Sequence, residues 1–231
     1  MDSTIPSYQG MGLTRDFFAR DTLTVARELL GCSLVRIRGG ARLSGRIVEV
    51  EAYVGEEDKA SHASSGRTVR NAPMYGPAGH AYVYLIYGVH HCFNVVTERE
   101  AFPAAVLVRA LEPLEGLEEM RQRRGGRPDE QLTSGPGRLC EALAIDRSFD
   151  GADLCAPDVR LFLESAEPLC SSAVAIGPRV NVRGDTAARR APWRLYLVGN
   201  RFLSRPGQQL DRRLAGTSEL VNLAADVDPV V

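Results

Sequence analysis

Apolar and polar positions alternate in short blocks along most of the chain, and the blocks read as strands separated by turns. Asp21 is placed to cap a helix whose Leu23, Ala26 and Leu30 recur at helical spacing, and Gly31 stops it. Residues 33–38 then alternate with period two. Gly39-Gly40 offers a hairpin turn, and residues 42–53 continue as a long strand. Period two puts Ile47, Glu49, Glu51 and Tyr53 on one face, and Val48, Val50 and Ala52 on the other. The apolar trio is expected to face the core, so that Glu51 and Tyr53 open together onto a cleft.

The pattern dissolves from Gly55 to Gly79, where Gly, Pro, Ser and Asn recur and His62, Arg67, Arg70 and Asn71 are carried. A loop of that length in a compact domain is often functional. Residues 81–87 resume as a strand with Tyr82, Tyr84 and Ile86 on one face. Tyr87-Gly88 makes a hairpin tip, from which Tyr87 is expected to protrude, and residues 91–97 return. Residues 104–110 form an apolar strand that ends by presenting Arg109. Pro113 is expected to start a helix with Leu114, Leu117 and Met120 as its core stripe. Ser134-Gly135-Pro136 precedes another helix, carrying Leu139 and Leu143, whose first amides suit an anion. Short strands follow at 159–163 and 193–198. The expected class is α+β: a single mixed domain over residues 1–231 with a curved, mainly antiparallel sheet, flanking helices and a protruding β-hairpin. Residues 1–12 and 205–231 are expected to be peripheral or flexible.

Composition narrows the setting. At 231 residues, 44% hydrophobic and 25% charged, the chain is ordinary for a globular domain. No apolar run approaches the roughly 20 residues of a membrane helix. The first residues, MDSTIPSYQG, lack the basic-then-apolar pattern of a secretory signal. Five cysteines, odd in number and without a CxxC pair, point away from a disulfide framework or a cysteine zinc site and toward a reducing, cytoplasmic location. The net charge of −1 is not that of a typical nucleic-acid binder. Of the 28 basic residues only Lys59 is lysine, so a lysine Schiff base has a single side-chain candidate. Arg121, Arg123, Arg124 and Arg127 form the densest basic cluster and read as a solvated helix end and loop.

Candidate chemistry concentrates in residues 51–94. This window holds five of the seven tyrosines and all four histidines. Rings that both stack and hydrogen-bond suit a planar ligand. The histidines lack metal-ligand spacing, so no metal and no other cofactor is expected. No GxSxG elbow, Walker loop or GxGxxG turn is present. Singly, each candidate has an ordinary explanation: Glu51 as an ion-paired strand acid, the tyrosines as packing, Asn94 as a partner for a neighbouring backbone. Together, on neighbouring strands and one loop, they describe a stacking pocket with a carboxylate in it.

The residues also carry a resemblance. The run Arg46-Ile47-Val48-Glu49-Val50-Glu51-Ala52-Tyr53 resembles the alkyladenine (3-methyladenine) DNA glycosylase family. So do Glu57-Asp58 with His62, Arg67 and Arg70-Asn71, the hairpin from Tyr82 to Gly88 with Asn94, Val108-Arg109-Ala110-Leu111-Glu112-Pro113, and Ser134-Gly135-Pro136 with Leu139-Cys140. The similarity runs in order from about Phe17 to Val198. The stretch between His62 and Asn71 is one residue shorter than the family form, and the net charge is less basic.

The resemblance implies excision of alkylated or deaminated purines, of the 3-methyladenine, 7-methylguanine and hypoxanthine type, from damaged double-stranded DNA. It assigns Glu51 as the base that activates water and Arg109 as the residue that helps hold it. Tyr53, His62 and Tyr84 become walls that stack on a flipped base, Asn94 a gate against the guanine amine, and Leu107 an apolar floor. Tyr87 becomes the wedge that enters the duplex. Arg67, Arg70, Ser134 and Gly135 become contacts to the DNA backbone. With Lys59 in the acidic turn Glu56-Glu57-Asp58, a water-using enzyme without strand-nicking activity is expected, acting as a monomer. Two other readings stay open on the residues alone: a non-catalytic nucleic-acid binding module with the same stacking platform, and a hydrolase of free nucleosides.

Overall fold

The structure is a computed structural model and describes residues 12–207, 211–216 and 219. Its strands join one sheet in which the pairings are antiparallel. The strands are β1 (Ser33–Arg38), β2 (Ala41–Val54), β3 (Ala81–Ile86), β4 (His90–Val96), β5 (Ala104–Glu115), β6 (Leu161–Glu164), β7 (Val174–Gly177), β8 (Arg194–Leu197) and β9 (Arg212–Arg213). The helices are α1 (Arg15–Phe18), α2 (Thr22–Leu29), α3 (Leu117–Arg123), α4 (Pro136–Ala142) and α5 (Thr186–Arg190). The long β2 organises the sheet. Along one edge it pairs with β5, which leads on to β4 and β3. Its other edge pairs first with β1 and then with β8. No helix among the described residues is long and apolar enough to cross a membrane.

The two faces of the sheet differ as the alternation requires. Val48, Val50, Ala52, Val83, Phe93, Val95, Val106 and Val108 join one large core with α2 and α4 residues such as Leu29 and Leu139. Opposite them, Tyr82, Val96 and Ala105 form a small cluster with Ala63, Met74 and Tyr75, which come from the 55–79 segment. That segment covers the second face. It holds two short 3-10 turns, His62–Ser65 and Ala72–Tyr75. Asp21 caps α2 by accepting from the Thr24 amide at 2.8 Å.

Three expectations are corrected. Ile47, expected beside Glu49, packs in the main core with Val48. A register slip between Ile47 and Glu49 breaks the strict alternation there. Pro113 does not start a helix: β5 runs through it to Glu115, and Leu114 stays exposed. A second slip, near Ser44 and Gly45, lies opposite Pro113, where a residue without an N–H is tolerated. Gly116 makes the turn into α3 at φ 75°, and a Cβ there would sit 2.9 Å from Leu43. Finally, part of the tail is not peripheral. Leu214 is 2% exposed in the core, and β9 pairs with β7. Residues 1–11, 208–210, 217–218 and 220–231 lie outside the described residues.

Candidate active site

Four strands bring a row of side chains together on the second face. Glu51 of β2 is in register with Leu107 of β5, Leu107 with Asn94 of β4, and Asn94 with Tyr82 of β3. One step along, Tyr53 pairs with Ala105, and Ala105 with Val96. Ala105 and Val96 of this second row pack against Tyr82, Met74 and Tyr75.

Glu51 was expected at an open cleft, yet it is fully buried. The strand edge explains this, because β8 and the Arg179-Val180 segment close over it. The Val180 amide donates to Glu51 Oε1 at 2.6 Å, and the Tyr53 hydroxyl donates to Oε2 at 2.9 Å. Arg109 Nη1 lies 3.2 Å from the same Oε2. A carboxylate accepts all three and retains lone pairs for a further donor.

Arg109 does not end its strand. It sits inside β5 where the pairs Glu49 with Ala110 and Val50 with Val108 leave it unpaired. Such a bulge re-aims a side chain. Its Nε lies 3.3 Å from Glu49 Oε1, so one guanidinium bridges two buried carboxylates. Burial works against the charge, but Glu51 and Glu49 outweigh it and raise the Arg109 pKa. Glu49 also accepts from Arg194 Nε at 2.8 Å, from the Ser204 amide at 2.6 Å and from its hydroxyl at 2.8 Å. Every oxygen of this acid pair is therefore held.

The rings surround that centre. Tyr53 has the Arg179 guanidinium 4.7 Å from its ring centroid, and Arg179 also lies over Trp193. Asp58 pairs with Arg179 at 2.5 Å with both side chains buried, which fixes this stack. His62 and Tyr84 meet edge to face at 4.5 Å. His62 Nδ1 shares a hydrogen bond of 2.8 Å with the Tyr82 hydroxyl. Partial burial, and then the Arg70 charge, lower the His62 pKa, so its imidazole is neutral at neutral pH. Burial, followed by the Glu51 charge, raises Tyr53 well above the usual phenol range; burial and then Cys92 do the same for Tyr84. Asn94 is buried and donates to the Tyr82 carbonyl at 2.9 Å. Leu107 is 3% exposed, between Glu51 and Asn94.

Tyr87 stands apart from the pocket. It is 88% exposed at the hairpin tip, in a turn closed by Val89 N–H to Ile86 C=O at 3.2 Å. Tyr87 and Gly88 both have positive φ, 52° and 73°, as a type I′ turn needs. A tyrosine in that conformation costs on the order of 1–3 kcal/mol.

The residues expected at the DNA backbone are engaged within the protein. Arg70 donates to the Leu85 carbonyl at 3.2 Å, and its guanidinium lies 5.5 Å from the Tyr84 ring centroid. Arg67 lies 5.5 Å from that of Tyr75. The helix start near Ser134 offers fewer free amides than expected. The Gly135 amide donates to Thr133, Pro136 has none, and Ser134 Oγ accepts from Arg138 at 3.0 Å. This end of α4 packs against the hairpin base, since a Cβ on Gly137 would lie 3.1 Å from His90.

Comparison with known proteins decides the family. The family model described as methylpurine-DNA glycosylase matches residues 16–201. A protein of Anaeromyxobacter dehalogenans (strain 2CP-1 / ATCC BAA-258) is 53% identical over 197 residues, 85% of this chain and 87% of its own. One of Methanocella arvoryzae is 52% identical over 187 residues, covering 80% and 91%. One of Carboxydothermus hydrogenoformans is 45% identical over 195 residues, covering 84% and 100%. All three bear the provisional name 3-methyladenine DNA glycosylase. The chain belongs to the methylpurine-DNA glycosylase family.

Within this DNA glycosylase, several neighbours of the site carried no clear signal of their own in the sequence. Val180 acts through its backbone amide, which no side-chain pattern reports. Arg179 and Ser204 arrive from distant segments. Glu49 was legible, because period two set it on the Glu51 face. Tyr82, which otherwise reads as packing, holds His62.

Proposed function

We propose that this glycosylase flips alkylated or deaminated purines out of duplex DNA and removes them by hydrolysis, with no lyase step. The observation that carries the reading is the buried Glu51 carboxylate, 3.2 Å from Arg109 and bonded to the hydroxyl of a ring that can flank a base. Glu51 takes a proton from a water molecule as its oxygen bonds to the sugar C1′. The N-glycosidic electron pair leaves with the base, and free base and an abasic sugar result. Arg109 keeps the carboxylate oriented and helps hold the water. An N-alkylated purine is already cationic and leaves as a neutral molecule. Hypoxanthine must gain a proton as it leaves.

The walls suit such ligands. Stacking on aromatic side chains is worth about 1–3 kcal/mol per base. The phenols and the imidazole of the pocket are neutral, so they offer electron-rich faces to an electron-poor purine. Asn94, in register with Leu107, meets the edge of the base in this reading and selects against the guanine amine. Flipping itself costs a few kcal/mol, least for a damaged base. Tyr87 offsets this by filling the vacated stack.

The test is a duplex carrying a single 3-methyladenine, 7-methylguanine or hypoxanthine. Release of free base with an intact abasic strand is expected. Binding without release returns the chain to a stacking module. Release from free nucleosides but not from duplex makes it a nucleoside hydrolase.

A further inference from the structure

Among the described residues, five large hydrophobic side chains are exposed: Val69, Leu85, Tyr87, Val89 and Leu114. All but Leu114 lie on two linked protrusions beside the pocket. One is the hairpin tip. The other is the turn around Val69, whose side chain is 98% exposed. A lone exposed valine needs no explanation. This one sits on a turn that is bolted down. Asn71, 1% exposed, donates to the His62 carbonyl at 2.8 Å and the Gly66 carbonyl at 2.9 Å, and accepts from the Thr68 amide at 2.6 Å. Arg70 ties the same turn to Leu85, two residues before Tyr87. The turn is thus fixed to a pocket wall on one side and to the Tyr87 hairpin on the other.

We propose that Val69 is a second apolar prong, entering the groove of the damaged duplex at a base step neighbouring the one that Tyr87 enters. The proposal rests on the reading of this chain as a base-flipping glycosylase. Three features favour duplex DNA as the occupant. Arg67 and Arg70 flank Val69 and supply charge complementary to phosphates. The ridge is continuous with the pocket through His62. Apolar side chains driven between base steps are a recurring way of kinking a duplex from the minor groove. Valine is stiff at χ1, and its turn is already ordered, so insertion orders little that is free. Tyr87 would fill the vacated position while Val69 props the adjacent step open.

The test compares wild type, Val69→Ala and a Leu114→Ala control. Affinity is measured for a duplex with a tetrahydrofuran abasic analogue, and hypoxanthine release is measured from a duplex and from a single strand of the same sequence. Val69→Ala is expected to bind the abasic duplex roughly tenfold more weakly. Its defect on the single strand should be several-fold smaller, because no stacked step remains to be wedged. Leu114→Ala should follow wild type. Wild-type affinity in Val69→Ala, or equal losses on both substrates, overturns the proposal. If the wild type releases no base, the functional reading falls, while the abasic-duplex comparison still decides the role of Val69.

Discussion

The site contains two regions built on opposite principles. Around Glu49, Glu51, Arg109 and Arg194, every side chain is buried and every carboxylate oxygen is held by a donor. At the tips carrying Tyr87 and Val69, the side chains are almost wholly exposed. The first region suits a group whose position must not vary through a proton transfer. The second suits groups whose partner is a molecule that arrives later. On the proposed reading, chemistry falls to side chains that the fold over-determines, and probing of the duplex to side chains that the fold leaves exposed. Mutations in the two regions should therefore fail differently.

The largest effect is expected from Glu49→Ala. It strips a carboxylate from both Arg194 and Arg109, and breaking a buried ion pair costs about 3–5 kcal/mol. That is a large part of the roughly 5–15 kcal/mol that holds a domain together. Urea unfolding measures it. A loss below about 1 kcal/mol would mean that the network is not as over-determined as its contacts indicate. Next comes Glu51→Gln, which keeps an acceptor for Val180 or Tyr53 but cannot take a proton. Single-turnover excision should fall about 10²-fold or more while affinity for an abasic duplex persists. Excision surviving within a few-fold would leave Glu51 as an ion-paired strand acid.

The exposed region should show the reverse pattern. Tyr87→Ala removes no packing, so its unfolding midpoint should stay near wild type. Affinity for an abasic duplex should drop about tenfold or more, the equivalent of one lost stacking contact. A variant that lost stability but kept affinity would turn the comparison around and assign Tyr87 to packing.

Much of this division was legible in the sequence, and the exceptions have physical causes. Alternation from Val48 to Tyr53 separated the core face from the opposite face, because a one-residue slip that was not cancelled would turn Val50 and Ala52 out of the core. Protrusion of Tyr87 followed from a Tyr-Gly pair between two strand patterns. What alternation could not give was Arg109 inside β5. Its placement depends on two opposing one-residue slips, around Val48 and around Arg109 itself, which cancel by the pair Val50 with Val108. Local pattern also misread Pro113, since a proline after a strand reads as a helix start unless the pairing across from it is known. The burial of Glu51 depends on β8 and Val180, more than 120 residues away along the chain. No window of sequence contains that contact.

The smallest effect is expected at the chain's only lysine, and it tests whether the buried region needs an amine at all. A glycosylase that also nicks the strand forms a Schiff base between an amine and the sugar C1′. Lys59 is the only side-chain candidate. Its Nζ lies 3.6 Å from the Glu57 carboxylate, on a half-exposed side chain in an acidic turn. Just before it, Asp58 is locked to Arg179 behind the Tyr53 ring. In the proposed reaction the nucleophile is instead a water activated by Glu51. Lys59→Gln should therefore leave excision within about twofold of wild type, as for a surface substitution. Borohydride added during turnover should trap no covalent adduct with either protein. An adduct formed by wild type and lost in Lys59→Gln would move the nucleophile from the buried network to this turn, and the division of labour drawn above would fail at its chemical half.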